Sequence, residues 1–327
     1  MIPSRIAAAL STLIPIGRPV FLWGPPGVGK SQVVAQAAQA LGRDLTDIRA
    51  VLLDPVDLRG LPAIGDDGRS HWRPPAFLPR EGTGVLFLDE LNAAPPLVQA
   101  ACYQLILDRR LGEYALPDGW SVVAAGNREQ DRAVTHRMPS ALANRMVHLD
   151  FEPHLEDWLA WAENAAIRPE VTAFVRFRPA LLHDFDPSRA ERAFPSPRTW
   201  EFVSGILAAG PSPEVEYDLF RGTVGEGAAA EFSGFLRVWR ELPDTEAVLA
   251  DPRQAPVPAE PAAVYAICEA LARKAATATM PALADYAARL PVEFGVLLMR
   301  DALRRDREIA GTEAFAAWAR DNAHVLV

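Results

Sequence analysis

A chain of 327 residues, 50% hydrophobic and 23% charged, has the length for about two compact domains, and no apolar run approaches the roughly 20 residues that span a bilayer. A formal net charge of -9 works against a surface built to grip nucleic acid, so nucleic acid is not the expected partner. Cys102 and Cys268 stand far apart without a CxxC or a Cys/His cluster, which argues against a disulfide framework or a zinc module and fits a reducing, cytoplasmic setting.

The opening MIPSRIAAALSTLIPIG is apolar, but Arg5 interrupts it and a glycine loop follows almost at once, so it reads as a helix packed on the first domain and not as a signal peptide. Next comes PVFLWG, short, β-branched and aromatic, a strand; SQVVAQAAQALG carries helix formers and stops at Gly42. Between them lies GPPGVGKS, which fits GxxxxGK[ST] in its proper setting of strand, loop and helix. Glycines let the backbone N–H groups of such a loop approach phosphate closely, and the helix N-terminus favours negative charge there. Gly24, Pro25, Pro26, Gly27, Val28, Gly29, Lys30, Ser31 and Gln32 are therefore the expected nucleotide-binding residues. Lys30, one of only two lysines in the chain, would reach the β- and γ-phosphates, and the Ser31 hydroxyl would ligate Mg²⁺.

Downstream, VLFLDELN reads as a buried parallel strand that ends in paired acids. In a protein with a phosphate loop, Asp89 at the strand's carboxyl end would hold the Mg²⁺, and Glu90 would orient or deprotonate the attacking water. Two acids with two roles point to hydrolysis. SVVAAGN is another apolar strand, and Asn127 at its end can hydrogen-bond the γ-phosphate or that water. The six histidines lack metal-ligand spacing, and no GxSxG or HExxH stands in the chain.

In this order, GPPGVGKS, LFLDELN, VVAAGN, the arginine of ALANR and PSPRTW resemble the AAA+ ATPases. Within them the chain is similar to the MoxR family, through LDPVDLRGLP, PPAFLP, LFLDELNAAPPLVQAACYQLILDRRLG and SVVAAGNREQ, so the likeness runs over about residues 15 to 210. The resemblance implies an α/β P-loop sandwich around a five-stranded parallel sheet, then an α-helical lid and a helical C-terminal extension. The residues independently give five strands, PVFLWG, DLTDIRAV, VLFLDEL, SVVAAGN and MVHLDFE, alternating with helical segments. Residues 1–152 are the expected nucleotide domain, 153–250 the lid region, and 251–327 an extension after the proline-rich connector PRQAPVPAEP.

RGLPAIGDDGRSHWRPP and RRLGEYALPDGWSVV, with their DDG and PDG turns, read as β-hairpins. Their positions match the helix-two insert and the pre-sensor hairpin of the resembled family. The resemblance further implies ATP as the nucleotide, a hexameric ring, and a trans-acting arginine from the neighbouring subunit. Arg145 is the first candidate for that finger and Arg137 the second; Arg198, in SPRTW, is the expected lid sensor. It also implies a protein client, with a von Willebrand factor A domain protein as the partner class and maturation of an enzyme complex as the outcome. Two other readings stand beside this one: a nucleic-acid motor or nuclease-associated subunit, and a nucleotide-dependent scaffold with little turnover.

Overall fold

The computed structural model describes residues 1–131, 138–189 and 191–323. Its strands are β1 (Val20–Trp23), β2 (Asp44–Arg49), β3 (Leu61–Ile64), β4 (Ser70–Arg73), β5 (Gly84–Asp89), β6 (Arg110–Leu111), β7 (Tyr114–Ala115), β8 (Trp120–Gly126) and β9 (Val147–Asp150). Five of them form one parallel sheet in the order β2-β5-β8-β1-β9. Position in that order explains composition. The central β5 and β8 are covered on both faces and buried along their length, apart from Asp89 at the end of β5, so they read as near-continuous apolar runs. Edge strand β2 buries only Ile48.

Side chains alternate between the two faces of the sheet. Val85 and Phe87, with Val20, Leu22, Val123 and Ala125, pack under the helices Pro3–Leu13 and Lys30–Ala40. Leu86 and Leu88, with Phe21, Val122 and Ala124, pack under the helix Pro96–Asp108. Each large side chain fully buried there contributes about 1.5–3 kcal/mol, which fixes which strand ends lie together. The chain is thus an α/β sandwich around a five-stranded parallel sheet, with a helical C-terminal part.

Both expected hairpins are present. β3 pairs with β4 antiparallel, and β6 with β7. The second one turns at Gly112 and Glu113, whereas the PDG at 117–119 leads into β8. Glu113 also reaches the first hairpin, where its carboxylate accepts from the Trp72 backbone N–H at 3.1 Å.

Residues 1–160, 183–192 and 196–199 make one compact unit; residues 161–182, 193–195 and those from 200 onward make a second. The second unit is helical. Phe174 stacks edge-on against Phe232 and Phe235 and packs beside Trp200. A further core gathers Val264, Ile267, Leu271, Leu283, Tyr286, Leu298 and Met299 from the helices Pro261–Ala272, Met280–Ala287 and Val292–Arg305. Within this unit Arg176 bridges two buried carboxylates, Glu269 at 2.8 Å and Asp301, and Arg305 meets Glu269 at 2.8 Å. Residues 252–260 hold no helix or strand, and Pro261 opens the next helix. Cys102 and Cys268 are both buried free thiols. Among the described residues no helix is long and apolar enough to cross a membrane.

Candidate nucleotide-binding site

In a parallel sheet all the carboxyl ends share one edge, and there the loop after β1, the acids that close β5 and the residue after β8 come together. Gly24 N–H donates to the Gly126 carbonyl at 3.3 Å, tying the start of the loop to the end of β8. Gly29, at φ 97°, precedes the helix Lys30–Ala40, a left-handed conformation that L side chains rarely adopt. Gly27 has φ 78°, and a Cβ on it would lie 2.7 Å from Ser196 Oγ. Val28 is buried beneath the loop, while Gln32 is exposed on the first helical turn.

Lys30 folds back over the loop. Its Nζ donates to the carbonyls of Gly24 at 2.7 Å and Pro25 at 3.0 Å, and to Asn127 Oδ1 at 3.2 Å. Burial pulls its pKa down to about 8, opposed by Asp89, Asp131 and Glu90 and assisted by the Arg198 charge. Ser31 Oγ donates to Asp89 Oδ2 at 2.9 Å across 58 positions of sequence. The other oxygen, Oδ1, accepts the Glu90 N–H at 2.9 Å. Glu90 itself is exposed and sits at φ 54°, ψ 33°, a left-handed conformation that is costly for a glutamate.

Asn127 is held from two sides. Lys30 meets its side chain, and Asn92 Nδ2 donates to its backbone carbonyl at 2.7 Å. Asn92 is 2% exposed, and its Oδ1 has no hydrogen-bond partner. Gln99 Nε2 in turn donates to the Ala94 carbonyl at 2.8 Å and the Asn92 carbonyl at 3.3 Å. Buried Asp131 accepts from the Arg128 backbone N–H at 2.9 Å and pairs with its guanidinium at 3.1 Å.

PSPRTW returns to the loop. The Arg198 N–H donates to the Gly27 carbonyl at 3.2 Å, and its guanidinium is exposed. Ser196 and Thr199 exchange backbone-to-side-chain bonds at 2.7 and 3.2 Å, which caps the helix Pro197–Ala209 in the reciprocal way of a capping box. His183 Nε2 lies 3.2 Å from the Pro26 carbonyl, and burial pushes the imidazole pKa down.

The structure therefore brings together the loop residues, Asp89, Glu90, Asn127 and the backbone of Arg198. Arg145 stands apart: exposed, two residues before β9, it lies at the amino edge of the sheet, opposite the loop. Arg137 lies outside the described residues. Asn92, Asp131, His183 and Ser196 also border the site. Of these, Asn92 in LFLDELN and Ser196 in PSPRTW stand inside motifs, whereas Asp131 and His183 lie in stretches without one.

Ser31 and Asp89 supply two hard oxygen donors on one spot, the donor chemistry that Mg²⁺ takes together with phosphate oxygens and water. Among the described residues no group of three or more His, Cys, Asp or Glu is arranged to hold a metal.

Residues 19–146 match the family model of the AAA domain, dynein-related subfamily. This segment carries an AAA domain. It runs from β1 up to β9 and includes every site residue named above except His183, Arg198, and Ser196 with its capping partner Thr199. Among curated proteins, the chain is similar to the protein MoxR of Paracoccus denitrificans, 30% identical over 162 residues, a match covering 43% of this chain and 47% of that protein. The match thus spans about half the length of that relative. Among solved structures, NtrX from Brucella abortus in complex with ADP is 17% identical, with 99% of this chain and 68% of that one covered and a TM-score of 0.42. A putative ATPase from Cytophaga hutchinsonii is 17% identical, covering 92% and 79%, with a TM-score of 0.38. A RuvB mutant from Thermotoga maritima is 16% identical, covering 82% and 80%, at 0.41. Scores this low leave the fold to rest on the chain's own sheet order.

Proposed function

We propose that this chain is a MoxR-like, Mg²⁺-ATP-dependent ATPase that works as a hexameric ring and spends hydrolysis on changing the shape of a protein partner. The observation that carries the reading is the 2.9 Å contact of Ser31 with Asp89, with Lys30 and Asn127 in hydrogen-bond contact beside it. A loop hydroxyl and a strand-end carboxylate meet where a cationic lysine and a poised amide also converge.

Each group then has a task. Lys30 exchanges its loop carbonyls for β- and γ-phosphate oxygens, and Ser31 and Asp89 would hold Mg²⁺, which when bound neutralises charge on those phosphates. Glu90 takes the proton of the attacking water as its oxygen bonds the γ-phosphorus and the bond to the β-phosphate oxygen breaks, leaving ADP and phosphate. Asn127 donates from its amide N to that water or to the γ-phosphate. Arg198 senses the nucleotide within the same subunit. Arg145 is the first candidate for the arginine that acts on a neighbour's nucleotide, a reading supported by its exposure away from its own loop, with Arg137 the other candidate. The partner class, a von Willebrand factor A domain protein or an enzyme subunit awaiting maturation, follows from the likeness to MoxR proteins.

The test is a capture from native extract with Glu90→Gln in Mg²⁺-ATP and Lys30→Ala as the unloaded control. Retention of such a protein only by the first supports the reading. ATP-dependent enrichment of nucleic acid or a nuclease instead would make the chain a nucleic-acid motor.

A further inference from the structure

The acids at the end of β5 and the amide after β8 belong to different strands, and their relative placement depends on what joins the two turns. Asn92 makes that joint. It sits two residues after Glu90, and its Nδ2 grips the Asn127 carbonyl at 2.7 Å. The direction of the bond is fixed chemically, because a carbonyl requires a donor, so the amide orientation is not interchangeable. Its Oδ1 is buried without a hydrogen-bond partner, so the residue carries a desolvation cost alongside the Nδ2 bond. Oδ1 lies where a Cβ on Gly126 would come within 2.1 Å, so the bare glycine backbone is what admits Asn92. Gln99, 3% exposed, clamps the same turn through the Asn92 and Ala94 carbonyls and accepts from the Tyr103 hydroxyl.

We propose that Asn92 is a positioning residue for hydrolysis: by holding the Asn127 carbonyl it sets the Asn127 amide against Lys30 and the acid-bearing turn. Gln99 supports Asn92 from the helix Pro96–Asp108. The inference rests on the ATPase reading above. A main-chain grip of this kind acts on the direction of the Asn127 side chain, and misplacement by about 1 Å can cost on the order of a hundredfold in rate.

The test is a double-mutant cycle in steady-state ATP turnover and nucleotide affinity, using Asn92→Ala, Asn127→Ala and the pair. Asn92→Ala should lower kcat at least about tenfold with nucleotide affinity within about threefold of wild type. In the Asn127→Ala background, where the carbonyl remains but the side chain is gone, adding Asn92→Ala should cost almost nothing more. Losses that multiply, or a single variant with wild-type kcat, would overturn the proposal. Should Asn92→Ala fail to fold, Asn92→Asp gives the same reading across pH: its turnover should recover as pH falls and the buried carboxyl gains the proton that can be donated to Asn127. A flat deficit relative to wild type overturns the proposal. Lys30→Ala, run alongside, separates the two readings, since undiminished turnover there removes the whole site from hydrolysis and not Asn92 alone.

Discussion

Lys30 is the residue on which the site's electrostatics turn. Burial has pulled its ammonium down to about 8 even though three carboxylates pull the other way. Because the folded value is below the ordinary one, the free protein sheds this proton as pH rises through about 8, while phosphates favour the charged form. Nucleotide affinity should therefore be full below pH 8 and fall by up to about tenfold per pH unit above it. A titration of binding against pH checks this, with Lys30→Ala showing weak affinity and no such slope. Glu90 illustrates a second residue-scale conflict. A glutamate at φ 54° is held in a conformation that costs about 1 kcal/mol or more, and glycine would relieve it. Glu90→Gly should raise the denaturant midpoint by an amount equivalent to about 1 kcal/mol while abolishing turnover; a destabilised variant would mean that the left-handed turn is not strained.

At the scale of elements, the helical unit holds a buried charge cluster that joins Pro169–Phe177, Pro261–Ala272 and Val292–Arg305 through Arg176, Glu269 and Asp301. Burial raises the Asp301 carboxyl to about 6, with Glu269 adding to the rise and Arg176, Arg300 and Arg304 opposing it. A folded value above the unfolded one means that the native state binds the extra proton. The Asp301 contribution is thus most favourable in acid and declines as pH rises from about 4 to 6. Asp301→Asn should flatten stability over that window in urea melts, whereas Arg176→Met, which takes the bridging guanidinium from buried Asp301 while Glu269 keeps Arg305, should cost about 3–5 kcal/mol. If Asp301→Asn keeps the slope, another group carries it.

Across the whole molecule, what was legible in the sequence was what is local. GPPGVGKS announced itself because glycine, lysine and serine must stand at fixed offsets for one backbone to wrap a phosphate, and β5 and β8 announced themselves because central parallel strands are apolar throughout. The five strands of the sheet fall where PVFLWG, DLTDIRAV, VLFLDEL, SVVAAGN and MVHLDFE place them. The rest was not legible for physical reasons. Asn92 and Ser196 stand inside LFLDELN and PSPRTW, but the Asn127 carbonyl that Asn92 holds, 35 positions away, and the Gly27 that Ser196 faces are brought to them only by the fold. PEVTAFVRF, a helix, buries Glu170, Thr172 and Arg176 along with its apolar residues, so its burial does not follow its polarity.

Hydrolysis of ATP by the residues gathered at the carboxyl edge of the sheet is tested by phosphate release from purified protein in Mg²⁺-ATP, comparing wild type with Lys30→Ala and Glu90→Gln. Wild type should release phosphate steadily and Lys30→Ala none. Glu90→Gln should release phosphate about a hundredfold or more slowly while still holding ATP. Wild-type release at background, or a Lys30→Ala variant that turns over normally, would contradict it.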